Sequence, residues 1–232
     1  MDALITGTSS GIGRATALKF LDEGYRVWGL DCAEPSIDSP SYQHFICNVA
    51  DEGSLPSGLA PQVVVSCAGV QGSPDDISVN LRGTINVVEK YAFCGEASDQ
   101  KRELARTPSP RIRAVVNVGS ASAHTGSEFP AYAASKGGVC AYTKNVAMRL
   151  APQATCNSVD PGGVTTELNR PVMDDERMWS RIMDLTPLRR WASPEEIADW
   201  VYFVAVQNRF MTGQNLLIDG GEAGRTEFVW PE

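Results

Sequence analysis

The feature that most constrains this chain lies at its start. Ala3-Leu4-Ile5-Thr6 is a short apolar run that passes directly into Gly7-Thr8-Ser9-Ser10-Gly11-Ile12-Gly13. From Arg14 to Glu23 apolar residues recur at helical spacing (Ala17, Leu18, Leu21), and Gly24 closes the run as a C-cap. A strand, a glycine turn and a helix start in succession form a cradle for a pyrophosphate. Glycines let the backbone turn sharply and let phosphates approach. Free N–H groups and the positive end of the helix dipole then meet the negative charge. Ser9 and Ser10 can add hydroxyl donors. A glycine-rich link between strand and helix is weak on its own, since many such links need glycine. Its placement at residue 7, after a clean strand, favours a nucleotide site.

The rest of the chain alternates in the same way. Tyr25 to Leu30 reads as a second strand ending on Asp31, His44 to Cys47 as a third and Gln62 to Cys67 as a fourth. The link between the third and fourth leaves room for only a short crossover helix. Val79 to Tyr91 is helical in pattern. Ile112 to Val118 is a β-branched fifth strand. Ala131 to Leu150 is a long helix, Thr155 to Val159 a sixth strand, and Asn215 to Ile218 the last. Glu195 to Val206 is a helix entered through Ser193-Pro194, an N-cap and N1 pair. This order predicts an α/β fold: a Rossmann-type, doubly wound parallel sheet of about seven strands with helices on both faces. The 232 residues, 43% of them hydrophobic, suffice for one such domain over 1–232. Two segments break the alternation. Cys94 to Arg111 is polar and contains Pro108 and Pro110; Asn169 to Leu185 is the expected substrate lid.

Charge and composition narrow the function. A formal charge of −8 argues against a surface that tracks DNA or RNA. The nearest thing to a basic cluster, Arg102, Arg106, Arg111 and Arg113, has Glu103 among it and reads as a solvated segment. No run approaches the ~18 apolar residues of a membrane helix, and Met1-Asp2 leads straight into a strand, so a cytoplasmic protein is expected. The six cysteines are scattered without a CxxC pair and read as reduced thiols, mostly in apolar runs. His44 and His124 have no ligand-like neighbour at i+3 or i+4, so no metal site is expected.

Asp31 adds to the nucleotide reading. It stands eighteen residues past Gly13 at a strand end, where a carboxylate accepts hydrogen bonds from a ribose diol and repels a 2′-phosphate. Cys32, Ala33 and Glu34 follow, with no Arg or Lys, which favours NAD over NADP. The other reading of Asp31 is an ordinary strand-end turn residue.

Tyr132-Ala-Ala-Ser-Lys136 brings a specific match, because it does not stand alone. In order along the chain come Thr6-Gly-Thr-Ser-Ser-Gly-Ile-Gly13, Asn48-Val49-Ala50-Asp51, Cys67-Ala68-Gly69, Asn80-Leu81-Arg82-Gly83, Asn117-Val118-Gly119-Ser120 and Tyr132-x-x-x-Lys136. Asn157-x-Val159-x-Pro161-Gly162-x-Val164-x-Thr166 and Asp219-Gly220-Gly221 complete the set. Over nearly its whole length the sequence resembles the short-chain dehydrogenase/reductase family in its compact single-domain form. The resemblance implies that Tyr132 is the general acid/base, Ser120 the hydroxyl that holds the substrate oxygen and Lys136 the cation beside Tyr132. It implies that Asn80 holds a water linking Lys136 to solvent, and that Val164 and Thr166 meet the nicotinamide carboxamide. Ala68 and Gly69 would lie against the ribose, and Asn48 and Val49 near the adenine. It also implies a homo-oligomer, most simply a tetramer, paired through the helices near Val79 to Tyr91 and Ala131 to Leu150. The ridge Val139, Tyr142, Val146 and Leu150 suits either that interface or the core.

The chemistry stands without the family. Tyr132 and Lys136 are i and i+4 on one helix face. A free phenol, with a pKa of about 10, is a poor base at neutral pH; a nearby ammonium favours the phenolate. Such a phenol can take an alcohol proton as hydride leaves for NAD⁺, or return it during reduction. Seen alone, the pair is more often a tyrosine packed beside a snorkelling lysine; the strand-end serine and the cradle change that balance. Departures from the family pattern are Asn48 in place of a frequent Asp, Cys67 in place of a frequent Asn, and a long stretch between Asn80 and Ser120. Ser122 competes with Ser120, which the Asn-Val-Gly-Ser match favours. The expected function is an NAD(H)-dependent oxidoreductase interconverting a secondary alcohol and a ketone. Met173, Met178, Trp179, Ile182 and Met183 in the lid point to an apolar substrate, of hydroxysteroid or 3-hydroxyacyl/3-oxoacyl type, or else form the underside of an ordinary lid helix. The alternatives are a sugar or polyol dehydrogenase of the same family and a catalytically idle NAD-binding redox sensor.

Overall fold

The computed structural model describes residues 1–94, 106–127 and 129–224. Its core is a seven-stranded, wholly parallel sheet in the order β3-β2-β1-β4-β7-β8-β9. The strands are β1 (Asp2–Thr6), β2 (Arg26–Asp31), β3 (Tyr42–Ile46), β4 (Val63–Ser66), β7 (Ala114–Val118), β8 (Thr155–Pro161) and β9 (Asn215–Ile218). β5 (Phe93–Cys94) and β6 (Thr107–Pro108) form a separate antiparallel pair of two residues each, inside the polar stretch the sequence pattern left unassigned. The middle of that stretch, with Arg102 and Glu103, lies outside the described residues.

Both sheet faces are covered, which is why central strands are apolar throughout rather than alternating. β1 and β4 are buried at every position. On one face α1 (Gly11–Asp22) and α7 (Pro194–Tyr202) pack on Ile5, Val27, Val65 and Val116. On the other, α2 (Thr84–Ala92) and α4 (Pro130–Leu150) pack on Leu4, Leu30, Val64 and Val115. α7 starts as the sequence predicts, with a capping box in which Ser193 and Glu196 satisfy each other's backbone N–H groups. The third-to-fourth strand link holds only a three-residue 3₁₀ turn, Glu52–Ser54.

Three boundaries differ from the sequence pattern. α1 begins at Gly11, so Gly11, Ile12 and Gly13 form the first helical turn rather than the loop. The expected helix at 79–91 is π-helical over Asp76–Gly83 and becomes α only from Thr84. The expected helix at 195–206 likewise ends as a π-helical turn, Phe203–Gln207. The ridge of α4 is resolved in favour of the core: Val139, Val146 and Leu150 are fully buried and Tyr142 packs beside them.

Candidate active site

Every strand carrying a predicted site residue ends on one edge of the sheet, and the strand order reverses between β1 and β4. In open α/β sheets that crevice is where ligands bind. Gly7, at φ +75°, turns the chain out of β1, and its N–H donates to Leu30 O at 2.8 Å. Gly13 must be glycine, since a Cβ there would stand 2.1 Å from Gly7 O. The turn is therefore folded tightly on itself, with the amino end of α1 over it. Thr6 Oγ1 accepts from both Cys67 N and Ala68 N at 2.9 Å, tying the β1 and β4 ends together.

Asp31 sits at the outer end of this crevice. One carboxylate oxygen accepts from Ser9 N and the other from Ala33 N, both at 2.9 Å. The acid is thereby oriented between the glycine turn and the loop after β2. A brace behind it escaped the sequence reading: Thr8 Oγ1 to Tyr42 OH and Tyr42 OH to His44 Nδ1, each 2.8 Å, then His44 Nε2 to Ala33 O at 3.0 Å. The loops after β1 and β2 meet β3 here, a convergence no local spacing reveals. Asn48 is exposed and its carboxamide oxygen accepts from Ala50 N. Val49 is buried, with its side chain in the core, so any adenine contact there falls to backbone.

The inner end holds the acid/base candidates. Tyr132 and Lys136 share α4, with Lys136 Nζ 5.7 Å from the Tyr132 ring centroid. Lys136 is buried, and its ammonium donates to Val118 O at 2.9 Å. Burial lowers its pKa from the ordinary lysine value. Asn80 is buried in the π-helical segment, where the wider turn carries its side chain inward. Its amide nitrogen donates to Val70 O at 2.9 Å and Ser135 Oγ at 3.1 Å, and its oxygen accepts from Val70 N at 2.8 Å. Ser135 Oγ donates in turn to Tyr132 O at 2.7 Å. Asn80 thus clamps the loop after β4 to the Tyr132 turn of α4. Gly69 lies in the same place: a Cβ on it would be 3.0 Å from Asn80 Oδ1 and 3.7 Å from Lys136 Nζ.

Ser120 follows β7. Its hydroxyl donates to Ser122 Oγ at 3.2 Å and accepts from Ser122 N at 3.1 Å, and both serines are buried. The two candidates are one hydrogen-bonded unit, in which Ser122 orients Ser120. Ala121 N donates to Pro161 O at 2.8 Å, setting this turn against the end of β8.

Beyond β8, Gly162 N bonds Ile218 O, and Val164 is buried and bridges to Ala192. Thr166 N bonds Val164 O at 2.8 Å. The lid region comprises a 3₁₀ turn at Glu167–Asn169, α5 (Arg170–Met173) and α6 (Glu176–Leu185). No residue of α6 is buried, although Trp179, Ile182 and Met183 share one face. Trp179 meets Trp191 edge-on at 4.9 Å, and Trp191 presses against Gly163, where no Cβ would fit. The lid is thereby attached to the Pro161–Thr166 loop.

The six cysteines are free, with Cys32 and Cys94 exposed rather than buried as the apolar runs suggested. Among the described residues no helix is long and apolar enough to cross a membrane.

Comparison with known proteins agrees with this fold. The family model described as Enoyl-(Acyl carrier protein) reductase matches residues 65–222. The 3-oxoacyl-[acyl-carrier-protein] reductase FabG of Thermotoga maritima is 30% identical over 249 residues, covering 94% of this chain and 96% of that protein. The (3R)-3-hydroxyacyl-CoA dehydrogenase of Canis lupus familiaris is 29% identical, covering 94% and 95%. A solved structure of 4-hydroxyisoleucine dehydrogenase complexed with NADH superposes with a TM-score of 0.82 at 26% identity, covering 97% of this chain and 99% of that one. The chain belongs to the short-chain dehydrogenase/reductase family, oxidoreductases that use a nicotinamide dinucleotide to interconvert hydroxyl and ketone groups.

Proposed function

We propose that this chain is an NAD(H)-dependent dehydrogenase or reductase of an apolar secondary alcohol or ketone, working as one domain with cofactor and substrate on the same sheet edge. Tyr132 is the acid/base, Lys136 its cationic neighbour and Ser120 the hydroxyl on the substrate oxygen. Asn80 holds the Tyr132 turn and the loop after β4 in register. Gly7, Ser9, Ser10, Gly11, Ile12 and Gly13 receive the pyrophosphate. Ala68, Gly69, Pro161, Gly162, Val164 and Thr166 line the ribose and nicotinamide, and Asn48 and Val49 the adenine. The nicotinamide supplies hydride transfer; the protein supplies position and a proton.

The observation that carries this reading is the convergence of Lys136, Asn80 and Ser135 beneath Tyr132. A protein that only sensed NAD would need the cradle but not this arrangement. The apolar substrate class rests on α6, whose Trp179, Ile182 and Met183 face is left half-covered rather than packed into the core. A 3-oxoacyl or 3-hydroxyacyl thioester fits that face best, the chemistry named for both relatives. Turnover of NADH with 3-oxoacyl thioesters, steroid ketones and keto-sugars tests it. Strong preference for a polyhydroxylated substrate would overturn the apolar assignment. Free thiols throughout suit a reducing compartment such as the cytoplasm.

The NAD preference rests on Asp31. Its two oxygens are held by Ser9 N and Ala33 N at the end of β2, and a carboxylate oriented there would repel a 2′-phosphate. kcat/KM with NADH is expected to exceed that with NADPH by at least tenfold, and Asp31→Ala to shrink the ratio mainly by losing NADH. Equal use of both cofactors by the unaltered protein would refute this.

A tetramer is the expected assembly. The inner ridge of α4 is spent on the core, so association relies on other apolar surface. Leu188 and Trp200 are exposed and line one concavity, and Phe203 is set edge-on to Trp200 at 6.0 Å. Light scattering at micromolar concentration should give four chains of 25.0 kDa. A mass of one chain would rule association out.

A further inference from the structure

Beneath the Ser120 turn lies a polar cluster that the reaction does not use. Asp160, near the end of β8, is wholly buried. One of its oxygens accepts from His124 Nε2 at 2.6 Å and from Cys140 Sγ at 3.4 Å. The other is buried against Gly119, where a Cβ would come within 2.1 Å of it, and has no hydrogen-bond partner. A buried carboxylate normally fills both oxygens. Lys136 has its ammonium bonded to Val118 O. The negative charge is therefore incompletely answered by the protein.

We propose that His124, Cys140 and Asp160 form a binding site for a divalent cation of the zinc class. One imidazole nitrogen, one sulfur and one carboxylate oxygen lie within 4.8 Å of one another. That donor set suits zinc or cobalt and not magnesium or calcium, which take oxygen shells. Tetrahedral ligation places such donors ~3.3–3.6 Å apart. The sulfur and carboxylate already meet this at 3.4 Å. The imidazole nitrogen must retreat from Asp160 by about 1 Å and come to the same spacing from the Cys140 sulfur, which lies within 4.8 Å of it. His124 can do so, because its side chain is 31% exposed and stands on the four-residue α3 (Ser122–Thr125). The exposed imidazole also provides the entry path, and a water completes the fourth position. The ion would join the turn carrying Ser120 to α4 and β8. No sequence spacing announces the site, since each ligand comes from a different element.

The site is independent of the substrate and cofactor assignments, so its test does not depend on turnover. Chelator-treated protein is titrated with Co²⁺ alone. A thiolate-to-metal charge-transfer band should appear in the near ultraviolet and saturate at one equivalent. Cys140→Ser should abolish the band, and Asp160→Asn or His124→Ala should weaken Co²⁺ binding at least tenfold. Zn²⁺ at ~100 times its Kd should raise the melting temperature by about 5–10 °C. Should either buried-residue variant fail to fold, His124→Ala, on the exposed ligand, remains decisive. Absence of the band and of any thermal shift would overturn the proposal, leaving a hydrogen-bonded clamp only. A band that persisted in Cys140→Ser would place the metal on Cys32 or Cys94 and would equally overturn it.

Discussion

Tyr132→Phe should lose turnover by ~10²–10⁴-fold while still binding NADH close to normally. The substitution keeps the ring and removes only the hydroxyl. The contacts proposed to hold the pyrophosphate and adenosine are elsewhere, in the Gly7–Gly13 turn and at Asp31, whose carboxylate is oriented by Ser9 N and Ala33 N. The backbone role of Tyr132, accepting the Ser135 hydroxyl at its carbonyl, is untouched, so the Asn80 clamp survives. Single-turnover kinetics and NADH fluorescence on the same preparation separate the two effects. Retention of turnover within a few-fold, with NADH bound, would remove the acid/base assignment and leave family, fold and cofactor standing. Lys136→Met should harm more than chemistry. It removes the charge beside Tyr132 and leaves Val118 O without its donor in a buried place.

The pH profile gives the same assignment a second readout. If Tyr132 is the base as proposed, oxidation should speed up as pH rises on the acid side. The same proposal gives the Lys136 ammonium, 5.7 Å from the Tyr132 ring centroid, the part of favouring the phenolate. Burial lowers the Lys136 pKa, so that cation is lost at a lower pH than an exposed lysine would lose it. The alkaline fall in rate should therefore begin below the ordinary lysine range of about 10.4. A profile still rising beyond that range would show that Lys136 does not act through its charge.

What the sequence reveals depends on whether the signal is local. The Gly7–Gly13 cradle and the Tyr132–Lys136 pair are local: one is a strand, a turn and a helix in succession, the other an i,i+4 spacing. Both are legible because backbone geometry alone converts such spacings into neighbours. The sheet is legible for a related reason, since strands covered on both faces must be continuously apolar, as Val63 to Val65 are. The π-helical course of Asp76–Gly83 is not legible, because widening a helix leaves no mark on side-chain period over eight residues. The same holds for contacts made across the sheet. His124 meets Asp160 over 36 positions and Tyr42 meets Thr8 over 34. Val49 matches an adenine-site motif, yet its side chain points into the core.

Glu89 is the strongest case of this non-local kind, and replacing it should cost more stability than any surface change. The sequence marks it only as a polar position on a helix. In the fold it is buried between α2 and α4. It accepts from Arg149 at 2.6 and 2.9 Å, from Tyr142 OH at 2.8 Å and from Arg106 at 3.3 Å. The Arg149 guanidinium also lies 4.0 Å over the Phe93 ring. Burial, and then the Glu89 charge, hold the Tyr142 phenol well above its ordinary pKa, so it remains a neutral donor. Glu89→Ala takes away the carboxylate shared by two guanidinium groups, each only about a tenth exposed, and leaves them their weaker contacts to Phe93 and Asn145; the Tyr142 phenol loses its Glu89 acceptor. Breaking a buried pair this way costs ~3–5 kcal/mol, because the abandoned charge keeps its desolvation penalty. At ~2–4 °C per kcal/mol for a chain of this size, the melting temperature should fall by about 6–20 °C. Combining Glu89→Ala with Arg149→Met removes one of the charges that lost its counter-ion, so the double variant should be more stable than the sum of the single losses predicts. A melting point within 2 °C of the unaltered protein for Glu89→Ala would mean that water reaches the cluster and answers its charges. The loss matters for activity because α4 carries Tyr132 and Lys136, while α2 continues from the segment that carries Asn80. Glu89 is the ionic tie between those two helices, so turnover should fall before unfolding as the protein is warmed.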